Sequence, residues 1–405
     1  MKRIVFVNLH ANEFLVKTLS KMVWKQSCAF KHKYFIEYLL NNPEVEVCNY
    51  INEDGFTLAG SLPKPVMWFL RKLRFAENRY VMWKNGISLK QIKVIPKKDI
   101  RPDDIVIGYR HVPCSLTDMA DIKAFKAISM IHFHGEQSDS ERIQKANPNI
   151  LFNESDLGKC SEIFQRYYGW YKGKFLVHPF VAAPRFKRIK PFAERENRCF
   201  STGTITYKLH PEFLEVYGDS CDQPTRKQIL VNKEELKPWV ACYNSDYLED
   251  ADMKKYLPTD GFFTHYRKVY YNLRHGGQQK KYFSFDMVEK FNEFKMCLVG
   301  EEILGVPGIG FVEGMACGCA YIGQTTGFYE DYGMRACVHY IGYDGTLEDL
   351  KAKISYYQQP EHQEELERIA NAGYEFAQSH FRGDVVAKEL LDKLQKAQAE
   401  WNASK

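Results

Sequence analysis

A chain of 405 residues, 45% hydrophobic and 26% charged, has the size for two or three domains and the composition of a soluble globular protein with a real core. Its formal net charge of +5 is modest and its basic runs are short, so nucleic acid is not an expected partner. No apolar run reaches the ~18 residues of a membrane span; Met1–Asn8 is too short for a secretory signal, and the 11 scattered cysteines favour reduced, buried thiols in the cytoplasm over a disulfide framework.

The first third alternates strand and helix signals. Arg3–Asn8 reads as a strand, Lys31–Leu40 has the apolar spacing of a helix, and Val45–Tyr50 reads as a second strand. Asp104–Tyr109, Ala127–His132 and Ile150–Asn153 are further short apolar strands, separated by helical patterns over Leu116–Lys126 and Ser138–Ala146. Lys174–His178 gives one more strand. Pro179, Pro184 and Pro191, interspersed with Lys187, Arg188 and Lys190, then mark a linker.

A second block opens at Arg198–Thr204 and continues with strands at Lys295–Val299, Ala320–Gly323 and Val338–Tyr343. Helices are expected at Ser284–Phe294, Phe311–Cys317 and Thr346–Tyr357, and residues 210–281 read as helix-rich with loops. The chain closes in helix from 361 to 399, broken near Phe381-Arg382-Gly383. The pattern predicts an α/β protein with two Rossmann-like, doubly wound parallel sheets facing a cleft. The expected divisions are 1–190 for the acceptor, 191–380 for a nucleotide sugar, and a final helix over 381–405 that packs back on the first domain.

Gly305-Val306-Pro307-Gly308-Ile309-Gly310-Phe311-Val312-Glu313 has the chemistry of a phosphate-approaching loop that runs into a helix. Small residues let the backbone approach a ligand, a helix N-terminus favours anions, and Glu313 stands where it can accept hydrogen bonds from a ribose. No Lys-Ser/Thr pair follows, which excludes a P-loop. Gly203 and Thr204, ending the second block's first strand, offer a small-residue platform, and Lys208 just beyond can neutralise a diphosphate, as can Arg226 or Lys227. Each also has a plainer reading, as a turn or a solvated surface charge.

This order of parts resembles the GT-B glycosyltransferases, in particular the large retaining family of bacterial sugar transferases. The likeness is strongest at Gly305–Gly318, which is similar to the family's Glu-x7-Glu region, and over Thr346–Leu391. Ser129–Glu136 resembles a strand ending in a His-Gly pair, and Leu176–Phe186 resembles the interdomain segment. The resemblance implies a metal-independent hexosyltransferase with a nucleoside-diphosphate sugar as donor substrate and no other cofactor. Gly308, Ile309 and Gly310 would approach the diphosphate, Glu313 would hold the ribose, and His134 would meet the donor sugar. Gly305 stands where the family's first, sugar-contacting Glu is expected; Glu301 and Glu302 are the nearest alternatives.

Glu13 and Glu136 are the candidate bases for an inverting reaction, whereas a retaining one can use the leaving phosphate. His132, His134 and Glu136 have metal-like spacing but no further ligand cluster, so no metal is expected. Lys64–Lys84 interleaves Trp68, Phe69, Phe75, Tyr80 and Trp83 with six cations and one carboxylate, which suits an anionic membrane surface as well as an amphipathic helix with a solvated face. Tyr266–Lys281 reads as a basic rim of the cleft. The resemblance implies a glycan or lipid-linked acceptor in bacterial surface polysaccharide (O-antigen or capsule) synthesis at the inner face of the membrane. A sugar-nucleotide epimerase and a non-catalytic nucleotide-sugar-binding subunit are the rivals.

Overall fold

The computed structural model describes residues 1–9, 33–51, 89–173, 175–246 and 285–405, with single positions between 63 and 87. Glu13, most of Lys64–Lys84 and all of Tyr266–Lys281 lie outside the described residues.

Among the described residues, twelve strands form two sheets. The first holds β1 (Lys2–Val7), β2 (Val45–Tyr50), β3 (Lys93–Ile95), β4 (Ile105–Tyr109), β5 (Phe125–Ser129), β6 (Ile150–Asn153) and β7 (Phe175–Val177), in the order β3-β2-β1-β4-β5-β6-β7. The second holds β8 (Glu196–Ile205), β9 (Val240–Asp246), β10 (Phe294–Leu298), β11 (Ala320–Gln324) and β12 (Ile341–Tyr343), in the order β12-β11-β10-β8-β9. All pairings between these strands are parallel. The buried apolar strands are those expected of a sheet covered by helices on both faces.

Several boundaries differ from the sequence expectation. β5 stops at Ser129, not His132: β4 ends beside it at Tyr109, and the pairing with β6 ends with Phe152 beside Ser129. His132 then takes a positive φ of 54° and leaves the strand direction. The helix expected over Leu116–Lys126 occupies Pro113–Met119, because Pro113 starts it and Phe125 and Lys126 already belong to β5. β12 begins only at Ile341, after a turn in which Cys337 has φ 61° and its N–H donates to Tyr340 O at 2.8 Å. β9, an edge strand ending in Asn244, Ser245 and Asp246, lies in the stretch read as helix-rich.

Two helices help to tie the halves together. The last helix, Gly383–Ala403, sends Ala387, Leu390, Leu391 and Leu394 into the core formed by Ile4, Phe6, Phe35 and Leu39 of the first domain. Burying three leucines at roughly 1.5–3 kcal/mol each makes this a firm attachment. The helix Pro211–Tyr217 leaves the second domain and inserts Phe213 beside Phe133, Phe164 and Tyr168, joined there by Leu304 and Val306. Around it, Glu212 accepts from Gln137 N–H at 3.1 Å, His210 Nε2–H donates to His134 O at 2.8 Å, and Glu215 pairs with Arg166 and Tyr167. The cleft between the sheets is thereby walled on one side.

Candidate active site

The carboxyl ends of both sheets open on a cleft of about 820 Å³, within the size range of small-molecule sites. On the second domain its floor is the point where the strand order reverses, between β8 and β10, the place where open α/β sheets bind ligands.

Arg226, 7% exposed, holds that floor together. Its guanidinium donates to Val299 O at 3.0 and 2.9 Å, to Gly300 O at 3.0 Å and to Thr204 O at 2.8 Å, joining the ends of β8 and β10. Every acceptor is a neutral carbonyl, so its positive charge is set under the cleft rather than offered at its surface. The arginine also explains two glycines: a Cβ on Gly203 or Gly308 would come within 2.6 Å of its nitrogens. Arg226, read from the sequence as one possible charge for a diphosphate, is held in the cleft floor by these backbone carbonyls.

Gly308, Ile309, Gly310 and Glu313 all line the cleft, as do Gly203 and Thr204. The helix that follows is short, Gly310–Ala316, and the amides of Phe311 and Val312 already donate to Gly308 O and Ile309 O. Helix-terminal attraction for anions is therefore limited to the loop amides ahead of it. The Glu313 carboxyl has no hydrogen-bonding partner among the described residues, and the residue is half-buried. Burial pushes its pKa up to about 7, with Arg185 the opposing charge.

His134 and Glu136 also line the cleft. His134 does not end a strand: it sits five residues past β5, in a loop pinned where Arg110, at the end of β4, pairs with Asp139 in the first turn of Gln137–Ala146. Its side chain is open to the cleft water. Desolvation by the walls, then the charges of Lys208 and Arg110, hold its pKa below the ordinary value, so it is a neutral hydrogen-bonding group at physiological pH.

Three lining carboxyl groups escaped the sequence reading or stood there only as an alternative. Glu154 follows β6; Asp222 and Glu302 face the cleft from the second domain. Glu301 turns instead into the core, where Tyr329 donates to it at 2.7 Å and Gln324 N–H at 2.9 Å. Of the two alternatives for the missing first Glu, only Glu302 is in the cleft. Lys208 is there too, but already paired with Asp222 at 3.0 Å. An antiparallel bridge between Tyr207 and Cys221 brings these two together across the loop that carries Pro211–Tyr217, a proximity that no sequence motif signals. The described lining thus holds five carboxyl groups (Glu136, Glu154, Asp222, Glu302, Glu313) against two cations (Lys208, Arg226).

No protein-family model and no curated protein sequence matches the chain. In three dimensions it is similar to Anabaena HepE in complex with UDP and glucose (TM-score 0.50, 11% identity, covering 98% of this chain and 100% of that one). The same protein with UDP-glucose matches at TM-score 0.50 and 12% identity, over 98% and 100% of the two chains. A glycosyltransferase from Rickettsia africae matches at TM-score 0.50 and 11% identity, over 98% of each chain. Identities this low establish architecture: two facing parallel-sheet domains of the GT-B arrangement.

Proposed function

We propose that the chain is a metal-independent glycosyltransferase that takes its sugar from a nucleoside-diphosphate donor. The observation that carries this reading is Glu313, a half-buried carboxyl with no partner among the described residues, beside the strand-order reversal of the second sheet. Two ribose hydroxyls donating to it would supply the hydrogen bonds it lacks. The architectural neighbours bound to UDP and glucose support the same class of ligand. Gly308, Ile309 and Gly310 would meet the diphosphate with their amides, Lys208 would contribute charge, and His134 would hydrogen-bond the donor sugar from the first domain. Closing the cleft around the donor keeps water from the activated sugar. A retaining course, in which the leaving phosphate takes the acceptor proton, needs no protein base; Glu136 is the described candidate for an inverting one.

Incubation with a panel of nucleotide sugars in EDTA tests this. Slow release of sugar from one donor is the expected result. Epimerised donor would indicate an epimerase, and binding without turnover a non-catalytic subunit.

We further propose that the acceptor is lipid-linked, as in surface polysaccharide synthesis on the inner face of a bacterial membrane, and that 64–84 rests on anionic lipid. Among its described residues Trp68, Phe69 and Trp83 are 60%, 60% and 65% exposed, and Lys72 lies 5.9 Å from the Trp68 ring centre. Water-exposed aromatics among cations match the interfacial zone of a charged bilayer. Co-sedimentation with vesicles containing phosphatidylglycerol is expected, weakening with salt and falling at least about tenfold for Trp68→Ser with Phe69→Ser. Equal binding by the variant would place the contact elsewhere.

A further inference from the structure

This inference rests on the donor reading of the cleft. Lys208 is the only lysine among the described lining residues, yet its ammonium is engaged twice, by Asp222 Oδ2 at 3.0 Å and by Phe133 O of the first domain at 3.3 Å. Asp222 is 2% exposed; its Oδ2 also accepts from the Thr206 hydroxyl at 3.4 Å, while its Oδ1 is buried without a partner. The turn carrying Glu302 is fastened to it, since Ile303 N–H donates to Asp222 O at 2.8 Å. If Lys208 moved onto a diphosphate, it would leave a buried carboxylate beside a second carboxylate. A group so placed binds a proton rather than remain charged.

We propose that Asp222, with Glu302 beside it as a second carboxylate, forms a resting clamp on Lys208, and that a nucleoside diphosphate draws Lys208 onto its phosphate oxygens while Asp222 takes up one proton from solvent. In this exchange the ammonium keeps its three protons. One N–H···O contact to Asp222 breaks, one to a phosphate oxygen forms, and the added proton comes from the buffer. The groups facing Asp222 are Lys208 and Thr206 after β8, Arg226 from Pro224–Val231, Tyr217 from Pro211–Tyr217, the adjoining Cys221, and Glu302. With Lys208 in place, burial and then Glu302 already push Asp222 up to about 6, against the pull of Lys208 and Arg226. Loss of the lysine raises it further, so above about pH 7, where Glu313 is already ionised, affinity should fall with rising pH by up to about tenfold per unit.

The test is calorimetric titration with UDP, GDP and ADP at pH 8, in buffers of different ionisation enthalpy. At this pH the nucleotide's last phosphate proton is gone and Glu313 is mostly ionised. The wild type should take up about one proton more per nucleotide than Asp222→Asn, which should bind at least as tightly because its lysine is unclamped. Should Asp222→Asn not fold, Glu302→Gln, on a partly exposed turn, is expected to lower the uptake clearly. Binding with equal proton uptake in wild type and variant overturns the clamp while leaving the donor site standing. Failure of all three nucleotides to bind overturns the donor reading and the clamp with it.

Discussion

Glu313→Gln is expected to stabilise the unliganded protein at pH 8 and, at the same time, to lower its affinity for a nucleoside diphosphate more than tenfold. The two effects share one cause. Burial pushes the pKa of the Glu313 carboxyl up to about 7, well above the ordinary glutamate range, with Arg185 the opposing charge. A carboxyl raised in the folded state binds its proton more tightly there than in the unfolded chain. Folding stability is therefore undiminished below the unfolded value and is lost as pH rises through about 7. The shift corresponds to about 3 kcal/mol at most, which a neutral amide of the same shape does not incur. The melting temperature of the glutamine variant should exceed that of the wild type by a few degrees at pH 8, and the gap should shrink as pH falls from 7 towards 4.5. Ligand binding runs the other way. Hydroxyl donors to a carboxylate contribute roughly 1.5–3 kcal/mol each, and a neutral amide oxygen returns only part of that. Calorimetry on both forms checks the pair of effects. A variant that is more stable and binds nucleotide as well as the wild type would remove Glu313 from the site.

How far the sequence reached depended on whether neighbours in the chain are also neighbours in space. Period-2 and unbroken apolar runs such as Val45–Tyr50 and Ile150–Asn153 mark strands because their burial is local to each run. Glu313 was legible for the same reason: the glycines, the helix start and the carboxylate lie within nine residues, from Gly305 to Glu313. β9 was hidden because an edge strand can end in Asn244-Ser245-Asp246 without an apolar alternation. The end of β5 was set by where β4 stops and pairing with β6 ends, a property of two other segments. Arg226 could not be separated from any surface arginine until the carbonyls of Thr204, Val299 and Gly300 were seen to converge on it. The Lys208–Asp222 pair, likewise, exists because a helix-bearing loop folds one against the other. Charge counting placed the lysine in the cleft but missed the carboxylate that holds it.

Gly305→Glu, which would restore the carboxylate that the resembled motif has at this position, is expected to damage the protein rather than complete its site. Gly305 has φ 82°, a region that costs an L-residue about 1–2 kcal/mol, and a Cβ there would run into the carbonyl of Cys160 in the first domain. Relieving that overlap by shifting backbone costs about 1–3 kcal/mol more. The same residue's carbonyl accepts from the Ser155 hydroxyl at 2.6 Å, and its N–H donates to Glu302 O at 3.0 Å. It is thus the point at which the cleft loop of one domain rests on the backbone of the other. Gly305→Ala should already destabilise by about 2–5 kcal/mol in denaturant titration, on the strength of both terms. Ser155→Ala should cost only about 1 kcal/mol, one hydrogen bond; near-equal losses in the two variants would mean that the contact matters and the conformation does not. With the loop displaced, Glu313 and His134 no longer keep their separation across the cleft, so nucleotide affinity should drop together with stability in Gly305→Glu. A stable Gly305→Glu protein with faster turnover of a nucleotide sugar would reverse this interpretation, since the turn from Glu302 to Gly305 would then be able to open and present a carboxylate to the sugar from position 305. The close packing on Cys160 argues for the opposite outcome: a glycine at this position fits the need to bring two backbones together, and leaves Glu302, three residues earlier and already lining the cleft, as the carboxyl group available there.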